Sequence, residues 1–316
     1  MRRRGSPWTG LWTVVSKEAA DHITSARMLM LQLLILFTAV GAVYAAIGVM
    51  KTVATQDQFL FLRLFTIARD PFPSFVNFLG FVVPIVGIAL GFDSVNSEYQ
   101  RRTMSRLLAQ PIYRDALVFG KFLAALLTLG LTFFALWLLV TGLGLLILGV
   151  PPSGEEIGRG LSFLVVTIAY AGVWLAVAMM FSTVFRNSAT SALASLATWL
   201  LFSVFWNIVA GIVAQIAAPS HPLFGPPAAQ AELAQWVTRL SPNTLWTEAT
   251  IGLLNPETRA LGRVFFEQLQ GVVMGAPLPF GQSLLLVWPQ ISGLIAAMIV
   301  LFTVLYLVFQ RQEVRA

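Results

Sequence analysis

Six stretches of this chain contain no aspartate, glutamate, lysine or arginine, and each is long enough to cross a lipid bilayer. They are residues 28–50, 71–92, 122–154, 160–185, 187–231 and 268–310. The hydrocarbon core of a bilayer is about 30 Å thick, and a helix of roughly 20 apolar residues crosses it. The two longest stretches also contain prolines typical of loops, so we assign one span to each of the six stretches.

The predicted fold is an all-α integral membrane protein with six transmembrane helices. The spans are expected near residues 28–50, 73–92, 118–148, 161–185, 189–216 and 284–309. Only 11% of the 316 residues are charged, against about 25% in soluble domains, which leaves too little polar surface to cover a soluble globule. The chain divides into an N-terminal segment, residues 1–27, and a transmembrane domain, residues 28–316.

The distribution of basic residues predicts the orientation. An even number of spans puts both termini on one side of the membrane, and that side carries 13 of the 20 lysines and arginines. Because cytoplasmic loops are enriched in these residues, both termini are expected in the cytoplasm. The isoelectric point of 10.2 then follows from topology, and no nucleic-acid partner is expected.

The N-terminal segment is predicted to form an amphipathic helix. Apolar residues recur at helical spacing from Trp8 and Trp12 to Ile23, whereas Lys17 and Glu18 fall on the opposite face. A helix of this kind with two tryptophans lies in the headgroup plane, in contact with membrane lipid. It either only anchors the first span or also contacts a cytoplasmic partner and transmits movement to that span.

The longest loop, residues 217–283, lies between the fifth and sixth spans on the extracytoplasmic side. Apolar residues at helical spacing predict helices at Ala228–Leu240 and Glu257–Val273, with a break at 241–243. Asn255–Pro256 is a plausible start for the second helix, because proline suits a first helical turn. The loop is too apolar for disorder, so we expect short helices that rest on the extracytoplasmic membrane surface.

The chain contains no pattern typical of an enzyme or of a nucleotide site. Gly120–Lys121 does not form a phosphate loop, because Asp115 stands where that motif needs glycine and Phe122 where it needs serine or threonine. There is no cysteine, and His22 and His221 fall on opposite sides of the membrane, so no metal site is expected.

The predicted spans contain no ionisable residue at depth, which disfavours a transporter driven by protons or sodium ions. Lys121 lies near a cytoplasmic end, where its side chain can reach water. Asn77 and Asn207 are polar residues at depth, and they serve either helix packing or contact with a substrate. Gly87 and Gly91 have the spacing of small residues in close helix contacts.

The densest polar stretch, residues 93–121, is the predicted cytoplasmic loop between the second and third spans. Glu98 lies three and four residues before Arg101 and Arg102, which favours a short helix with internal ion pairs. Pro111 then ends that helix. Such a helix is suited to docking on another protein, although a solvated basic loop has the same composition.

The order of residues in this loop resembles the signature of ABC-2 type permeases, most closely that of their NosY-like six-span group. Glu98 is followed by Arg102–Thr103, Leu107–Leu108, Gln110–Pro111, Arg114 and Gly120–Lys121. In the family, a glutamate is followed by Gly-Thr, Leu-Leu, Ser-Pro, Arg and Gly-Lys. Arg102 and Gln110 depart from that pattern, which leaves the subgroup open.

This resemblance implies a transmembrane permease subunit with the fold of a type V ABC exporter. It would bind two separate ATPase subunits and a second copy of itself or a related permease. The ATPase subunits would hold ATP and magnesium, so the chain itself would carry no cofactor and no enzyme activity. ATP hydrolysis would drive export of a substrate across the cytoplasmic membrane of a bacterium or archaeon.

The resemblance also implies roles for individual residues. The loop 93–115 would be the coupling helix on the ATPase, with contacts from Glu98, Tyr99, Arg101, Arg102, Arg106, Leu107, Leu108, Pro111 and Arg114. The N-terminal segment would be the connecting helix, through Trp8, Trp12, Lys17, Glu18 and Arg27. Spans two and five would line the substrate path, through Asn77, Phe78, Phe81, Phe202, Trp206 and Asn207.

Two other classes of protein remain open from the sequence. A non-transporting membrane scaffold or sensor would use an ABC ATPase to act on an extracytoplasmic protein bound by loop 217–283. A self-contained channel or carrier would move solute without an ATPase. The sequence does not name the cargo, although the lack of charges at depth favours an apolar or amphiphilic molecule.

Overall fold

The computed structural model describes residue 8 and residues 10–53, 59–69, 73–100, 113–217, 228–262 and 277–311. Within these ranges the chain is helical and connected by short turns. The helices are α1 (Leu11–Thr24), α2 (Ala26–Val53), α3 (Leu60–Thr66), α4 (Phe75–Gly91), α5 (Asn96–Gln100), α6 (Arg114–Leu148), α7 (Gly154–Val184), α8 (Ser188–Leu200), α9 (Trp206–Ala217), α10 (Ala228–Thr238), α11 (Pro242–Leu254) and α12 (Phe280–Arg311). A π-helical turn, Leu201–Phe205, joins α8 to α9.

Six helical segments are long and apolar enough to cross a membrane, which confirms the predicted fold class. They are α2, α4 with α5, α6, α7, α8 with α9, and α12. Helix α7 begins seven residues before its predicted bound, at Gly154 and not near residue 161. Ser153 and Glu156 form a capping box there, in which each side chain accepts a hydrogen bond from the backbone N–H of the other residue. This cap satisfies donors that the helix start would leave open.

Helix α7 is the central element of the bundle, and most of its side chains are buried. It packs against α4, α6, α8, α11 and α12. Gly87 and Gly91 let α4 approach it closely. A Cβ atom at Gly87 would lie 2.8 Å from the carbonyl oxygen of Ala171, and one at Gly91 would lie 2.9 Å from that of Leu175. The close helix contact predicted from the spacing of these glycines is therefore confirmed.

Helices α10 and α11 form a hairpin that enters the bundle from the end opposite to α1 and α5. Ser241, in the turn of this hairpin, donates a hydrogen bond of 2.8 Å to the carbonyl oxygen of Phe202, at the middle of the fifth span. Tyr170, at the middle of α7, donates to Oδ1 of Asn243 at 3.2 Å. The turn therefore lies halfway down the bundle, and Ser241 is fully buried.

Helix α11 then runs back along α7 toward the end of the bundle opposite to α1 and α5. The indole nitrogen of Trp246 donates to Oγ1 of Thr167 at 3.2 Å, and the ring of Trp246 stacks on that of Tyr170. A turn of backbone is tolerated at membrane depth only where protein groups satisfy its polar atoms. The contacts of Ser241 and Asn243 meet that requirement.

The expectation that the helices of loop 217–283 rest on the membrane surface is therefore wrong for α11 and for the end of α10. The predicted helix at 228–240 is confirmed as α10. The predicted helix start at Asn255–Pro256 is wrong, because residues 255–262 form turns and extended chain. The rest of that predicted helix, residues 263–273, lies outside the described residues.

Arg159 connects several elements at the end of the bundle opposite to α1 and α5, and its side chain is completely buried. Its Nε and Nη2 atoms donate to Oε1 of Glu155 at 3.0 and 2.9 Å. Its Nη1 atom donates to the carbonyl oxygen of Leu253 at 2.9 Å and to Oγ of Ser283 at 3.0 Å, and Nη2 also donates to the carbonyl oxygen of Leu278 at 2.5 Å. One guanidinium thus joins α7 to α11 and to the start of α12.

Replacing Arg159 by methionine tests this role. Arg159→Met leaves several buried acceptors without donors, a change that costs about 3–5 kcal/mol in comparable buried pairs. We expect the melting temperature of the purified protein in detergent to fall by about 10 °C, given roughly 2–4 °C per kcal/mol for a protein of this size. Arg311→Met, at the exposed end of α12, is the matched control. Equal melting temperatures for the two variants would contradict the role of Arg159.

Candidate functional site

A buried lysine joins three elements at the end of the bundle where α1 and α5 lie. The Nζ atom of Lys121, in α6, is 3.0 Å from Oε1 of Glu18 in α1 and 3.5 Å from Oε1 of Glu98 in α5. Only 6% of the Lys121 side chain is exposed. Lys17 extends the cluster, since its Nζ atom is 3.2 Å from Oε1 of Glu18. We call Lys17, Glu18, Glu98 and Lys121 the ion cluster.

The residue before Lys121 explains how α1 reaches this position. A Cβ atom at Gly120 would be 2.6 Å from Cγ1 of Val14 and 2.8 Å from its Cβ. Glycine therefore lets α1 lie directly on α6, and the next residue, Lys121, is placed where it meets Glu18. The expectation that Lys121 extends to water is wrong, because two carboxylates satisfy its charge inside the protein.

Electrostatics within the ion cluster favour the charged forms. Burial raises the pKa of the Glu18 carboxyl group, but the ammonium groups of Lys121 and Lys17 outweigh burial and hold this pKa below its ordinary value of 4.5. Glu18 is therefore ionised at neutral pH. Charge-assisted contacts of this kind hold α1 against α6 and α5.

A second ion pair joins the start of the first span to the end of α4. The guanidinium of Arg27 donates to both carboxylate oxygens of Asp93, at 3.0 and 2.7 Å. It also donates to the carbonyl oxygen of Ala89 at 2.9 Å. Paired parallel contacts of this kind fix the relative orientation of the two groups as well as their separation.

Hydrogen bonds also connect α5 and the residue before it to the junction of α7 and α8. The backbone N–H groups of Val95 and Asn96 both donate to Oγ of Ser182, at 3.0 and 3.2 Å. Ser188 donates to Oδ1 of Asn96 at 2.9 Å, and Gln100 donates to the carbonyl oxygen of Arg186 at 2.9 Å. Helix α5 thus contacts α6 and the junction of α7 and α8 directly, and it is connected to α1 through Lys121.

The predicted ATPase-coupling residues are only partly described. Arg101, Arg102, Arg106, Leu107, Leu108 and Pro111 lie outside the described residues. Glu98 belongs to the ion cluster, and Tyr99 packs against the core. The guanidinium of Arg114 lies over the ring of Phe309, 5.5 Å from its centroid, so Arg114 contacts the last span.

The predicted connecting-helix residues divide into two groups. Lys17, Glu18 and Arg27 take part in the ion pairs described above. Trp8 and Trp12 are largely exposed, and the ring of Trp8 meets that of Phe119 edge to face at 5.1 Å. The exposed indoles leave α1 with an apolar surface, as expected for a helix in the headgroup plane.

The predicted substrate-path residues lie on neighbouring helices. They are Asn77, Phe78, Phe81, Phe202, Trp206 and Asn207. Phe81 of α4 meets Trp199 of α8 edge to face at 5.1 Å, and Phe202 stacks on Trp206 at 4.5 Å. Asn77 and Asn207 are exposed, whereas Phe78 is half-buried against the core. The structure brings α4 beside α8 but records no contact between the two asparagines.

Sequence reasoning missed three contributors to this region. Asp93 was not recognised as the partner of Arg27, nor Lys121 as the centre of an ion cluster. Asp115 accepts hydrogen bonds from Tyr306 and Gln310, which joins the start of α6 to the end of α12. Asp93 directly follows a predicted span, and Asp115 and Lys121 lie within three residues of the start of the next one. That position was the available signal. Within the described residues, no group of three or more histidine or acidic side chains is placed to hold a metal ion.

Comparison with known proteins gives consistent matches. The family model of the ABC-2 family transporter proteins matches residues 12–314. The chain is 25% identical over 301 residues to "Probable ABC transporter permease protein NosY" of Stutzerimonas stutzeri, covering 90% of this chain and 96% of that protein. It is also 25% identical over 204 residues to the protein of the same name from Pseudomonas aeruginosa, covering 63% of this chain and 68% of that protein.

Titration of Glu18 tests the ion cluster. A carboxyl group whose pKa is lower in the folded state stabilises that state above its unfolded pKa, and the stabilisation is lost as the pH falls through the folded pKa. We expect Glu18→Gln to lower the melting temperature at pH 7 by about 5 °C, from a charge-assisted contact of roughly 1.5–3 kcal/mol. This difference from the unmodified protein should narrow as the pH falls below 4.5.

Asp21→Asn is the control for this titration. Asp21 pairs with Lys17 on the exposed face of α1, with 62% of its side chain exposed. We expect a smaller change at every pH. Burial lowers the pKa of His22, and the Glu18 carboxylate partly offsets this effect. The titration of His22 is therefore common to the unmodified protein and Asp21→Asn, but in Glu18→Gln it moves to lower pH. A Glu18→Gln difference that stays constant between pH 7 and about pH 3 would contradict the ion cluster.

Proposed function

The chain belongs to the ABC-2 family of transporter proteins, and we propose that it is the permease subunit of an ATP-driven exporter. Two separate ATPase subunits hydrolyse ATP on the cytoplasmic side, and this chain uses that energy to move a substrate out of the cell. The observation that carries the proposal is the ion cluster. Through it, α5, the start of the loop that would dock on the ATPase, contacts α1 and α6 by charge pairs.

The described contacts supply a route from the docking loop to the spans. Lys121 connects α5 to α1 and α6, the Ser182 hydroxyl connects it to α7, and the backbone of Arg186 connects it to the start of the fifth span. The Arg27–Asp93 pair adds the first span. A push on α5 when the ATPase closes would therefore move several spans together. This is the coupling that the proposal requires.

The proposed substrate path runs beside α4 and the fifth span. Phe81, Trp199, Phe202 and Trp206 form two aromatic contacts along these helices. The π-helical turn Leu201–Phe205 interrupts the fifth span at this level, and such turns are common at functional sites. We propose that Asn77, Phe78 and Asn207 also border the path, as the family resemblance implies.

A second permease copy would complete the path. Large apolar side chains of the fifth span are exposed, among them Leu193, Leu201, Val204, Phe205 and Ile208. This surface suits either lipid or another protein. We propose that part of it packs against a second copy of this chain or a related permease. Both termini would face the cytoplasm of a bacterium, and the ATPase subunits would bind ATP and magnesium.

The packing of the hairpin favours transport over the scaffold alternative. Helix α11 lies within the bundle, with Trp246 and Leu253 buried. A segment that fills the bundle is not free to hold an external protein. Exposed apolar side chains of this region, such as Trp236 and Leu240, would be the remaining place for such a partner. Loss of partner binding after Trp236→Ser and Leu240→Ser, with substrate movement intact, would support the scaffold.

Charge reversal in the docking loop tests the proposed coupling. We expect Arg101→Glu with Arg102→Glu to insert normally into the membrane and to lose transport, because acidic groups would repel the surface that now binds arginines. Copurification of the ATPase subunit should fall at least about tenfold, which corresponds to 1.4 kcal/mol. The ATP hydrolysis rate of the mixture should return to that of the ATPase subunit alone.

The control for this experiment is Arg311→Glu, which adds the same type of charge at the exposed end of α12. It should leave ATPase binding and hydrolysis unchanged. Unchanged ATP hydrolysis and ATP-driven transport in the loop double variant would rule out the assignment of residues 93–115 as the coupling element.

A further inference from the structure

A pocket of about 190 Å³ lies between α9 and the hairpin of α10 and α11. It is lined by Asn207, Gly211, Ala234, Gln235, Thr238, Glu248 and Gly262. The indole nitrogen of Trp206 donates to the carbonyl oxygen of Val237 at 2.8 Å, which holds α9 to α10 beside the pocket. A volume near 190 Å³ corresponds to about six waters at roughly 30 Å³ each. The space therefore suits a small molecule.

Glu248 is the acidic side chain of this lining, and it is only 8% exposed. Its Oε2 atom accepts from Nε of Arg239 at 2.9 Å and from Nε2 of Gln290 at 2.8 Å. Within the described part of the chain, Oε1 accepts no hydrogen bond. The amide oxygen of Gln290 is also buried with no hydrogen-bond partner among the described residues. The Gln290 amide oxygen is therefore a buried acceptor with unused capacity next to Glu248.

The Glu248 carboxylate lies well inside the bundle. Gln290 is ten residues after the first residue of α12, which is about 15 Å along a helix axis. The predicted spans themselves contain no ionisable residue at depth, but the hairpin carries Glu248 and Arg239 to this level of the bundle. Charges at such depth are costly and usually serve a function.

The polar groups around the pocket favour a ligand that donates hydrogen bonds. The guanidinium of Arg239 is directed to Glu248 and to the carbonyl oxygen of Leu261, at 3.4 Å. Gln235 uses its Nε2 atom on the same carbonyl oxygen, at 3.1 Å. The donors of Arg239 and Gln235 are already engaged, and the Asn207 amide can donate or accept. The Glu248 carboxylate and the Gln235 amide oxygen retain acceptor capacity. The balance disfavours an anion.

Gly262 and Gln235 lie in close contact in the lining of the pocket. Gly262 has φ of +92°, in the left-handed region that favours glycine. A Cβ atom there would lie 1.9 Å from Nε2 of Gln235. Any other residue would displace Gln235 from its contact with Leu261. Glycine at this position thus preserves the hydrogen bond from Gln235 to Leu261 beside the pocket.

We propose that this pocket binds a small organic cation, with an ammonium group at Glu248 and a short apolar part against Gly211 and Ala234. The site exists in the single chain and needs no ATPase for binding. This inference rests on the proposed function in one respect only. If the bound molecule is the exported substrate, the pocket is its last binding site before release on the extracytoplasmic side.

Charged thiol reagents test the pocket directly, because the natural chain has no cysteine. Gly211→Cys places a thiol in the lining at a position where a Cβ atom meets nothing within 4 Å. The reaction rate of this thiol is measured with 2-(trimethylammonium)ethyl methanethiosulfonate and with 2-sulfonatoethyl methanethiosulfonate. The rate with each reagent is then divided by the rate of the same reagent with free 2-mercaptoethanol. We expect a corrected preference of about fivefold for the cationic reagent, because Oε1 of Glu248 can pair with its ammonium group while Oε2 stays bound to Arg239.

Three comparisons decide the result. Gly281→Cys, another open glycine near the exposed start of α12, should show no preference. The preference at Gly211→Cys should disappear with Glu248→Gln and persist with Glu248→Asp, which guards against loss of the fold. n-Butylammonium should slow modification of Gly211→Cys, whereas n-butyrate should not.

A corrected ratio near one at Gly211→Cys, no reaction with either reagent, or a preference that survives Glu248→Gln would overturn the proposal. So would equal protection by n-butylammonium and n-butyrate. All these measurements use the purified chain without ATPase or nucleotide. A failure here is therefore distinguishable from a failure of the transport proposal, which concerns the docking loop.

Discussion

A charge that leaves water must find its partner inside the protein, and this requirement organises both ends of the bundle. At one end, Lys121 meets Glu18 and Glu98, which draws α1 and α5 onto α6. At the other end, Arg159 is shared among α7, α11 and the start of α12. The cost of burying each cation is recovered only while all of its partners stay in place, so each cation fixes the positions of several elements at once.

Between these ends, α7 provides the fixed centre and the fifth span provides the irregular element. Gly87 and Gly91 bring α4 onto α7 at backbone contact distance. The fifth span instead contains a π-helical turn, and the carbonyl oxygen of Phe202 within it accepts a hydrogen bond from Ser241 of the hairpin. A change in that turn would alter the aromatic contacts of the proposed path and the pocket beside α9 together. The hairpin thus connects the proposed path to the end of the bundle opposite to α1 and α5.

Length and hydropathy were sufficient to predict the six spans, because a bilayer imposes one length on every crossing helix. They were insufficient for α11, whose threonines, Asn243 and Glu248 are typical of a surface helix. Its burial depends on Thr167, Tyr170 and Gln290, which are more than 40 residues away in the chain. The ion cluster was hidden for the same reason: Glu18 and Lys121 are 103 residues apart. Family resemblance predicts the docking loop, but it did not supply these contacts.

The central claim is that Lys121 carries motion from the docking loop to α1. Spin labels at Ser16→Cys in α1 and Thr303→Cys in α12 allow the distance between these helices to be measured in the complex with its ATPase subunits, with and without ATP and vanadate. The account predicts a nucleotide-dependent shift that is present with Lys121 and absent in Lys121→Met, with ATPase binding retained. A shift of equal size in Lys121→Met, or none in either protein, would contradict it.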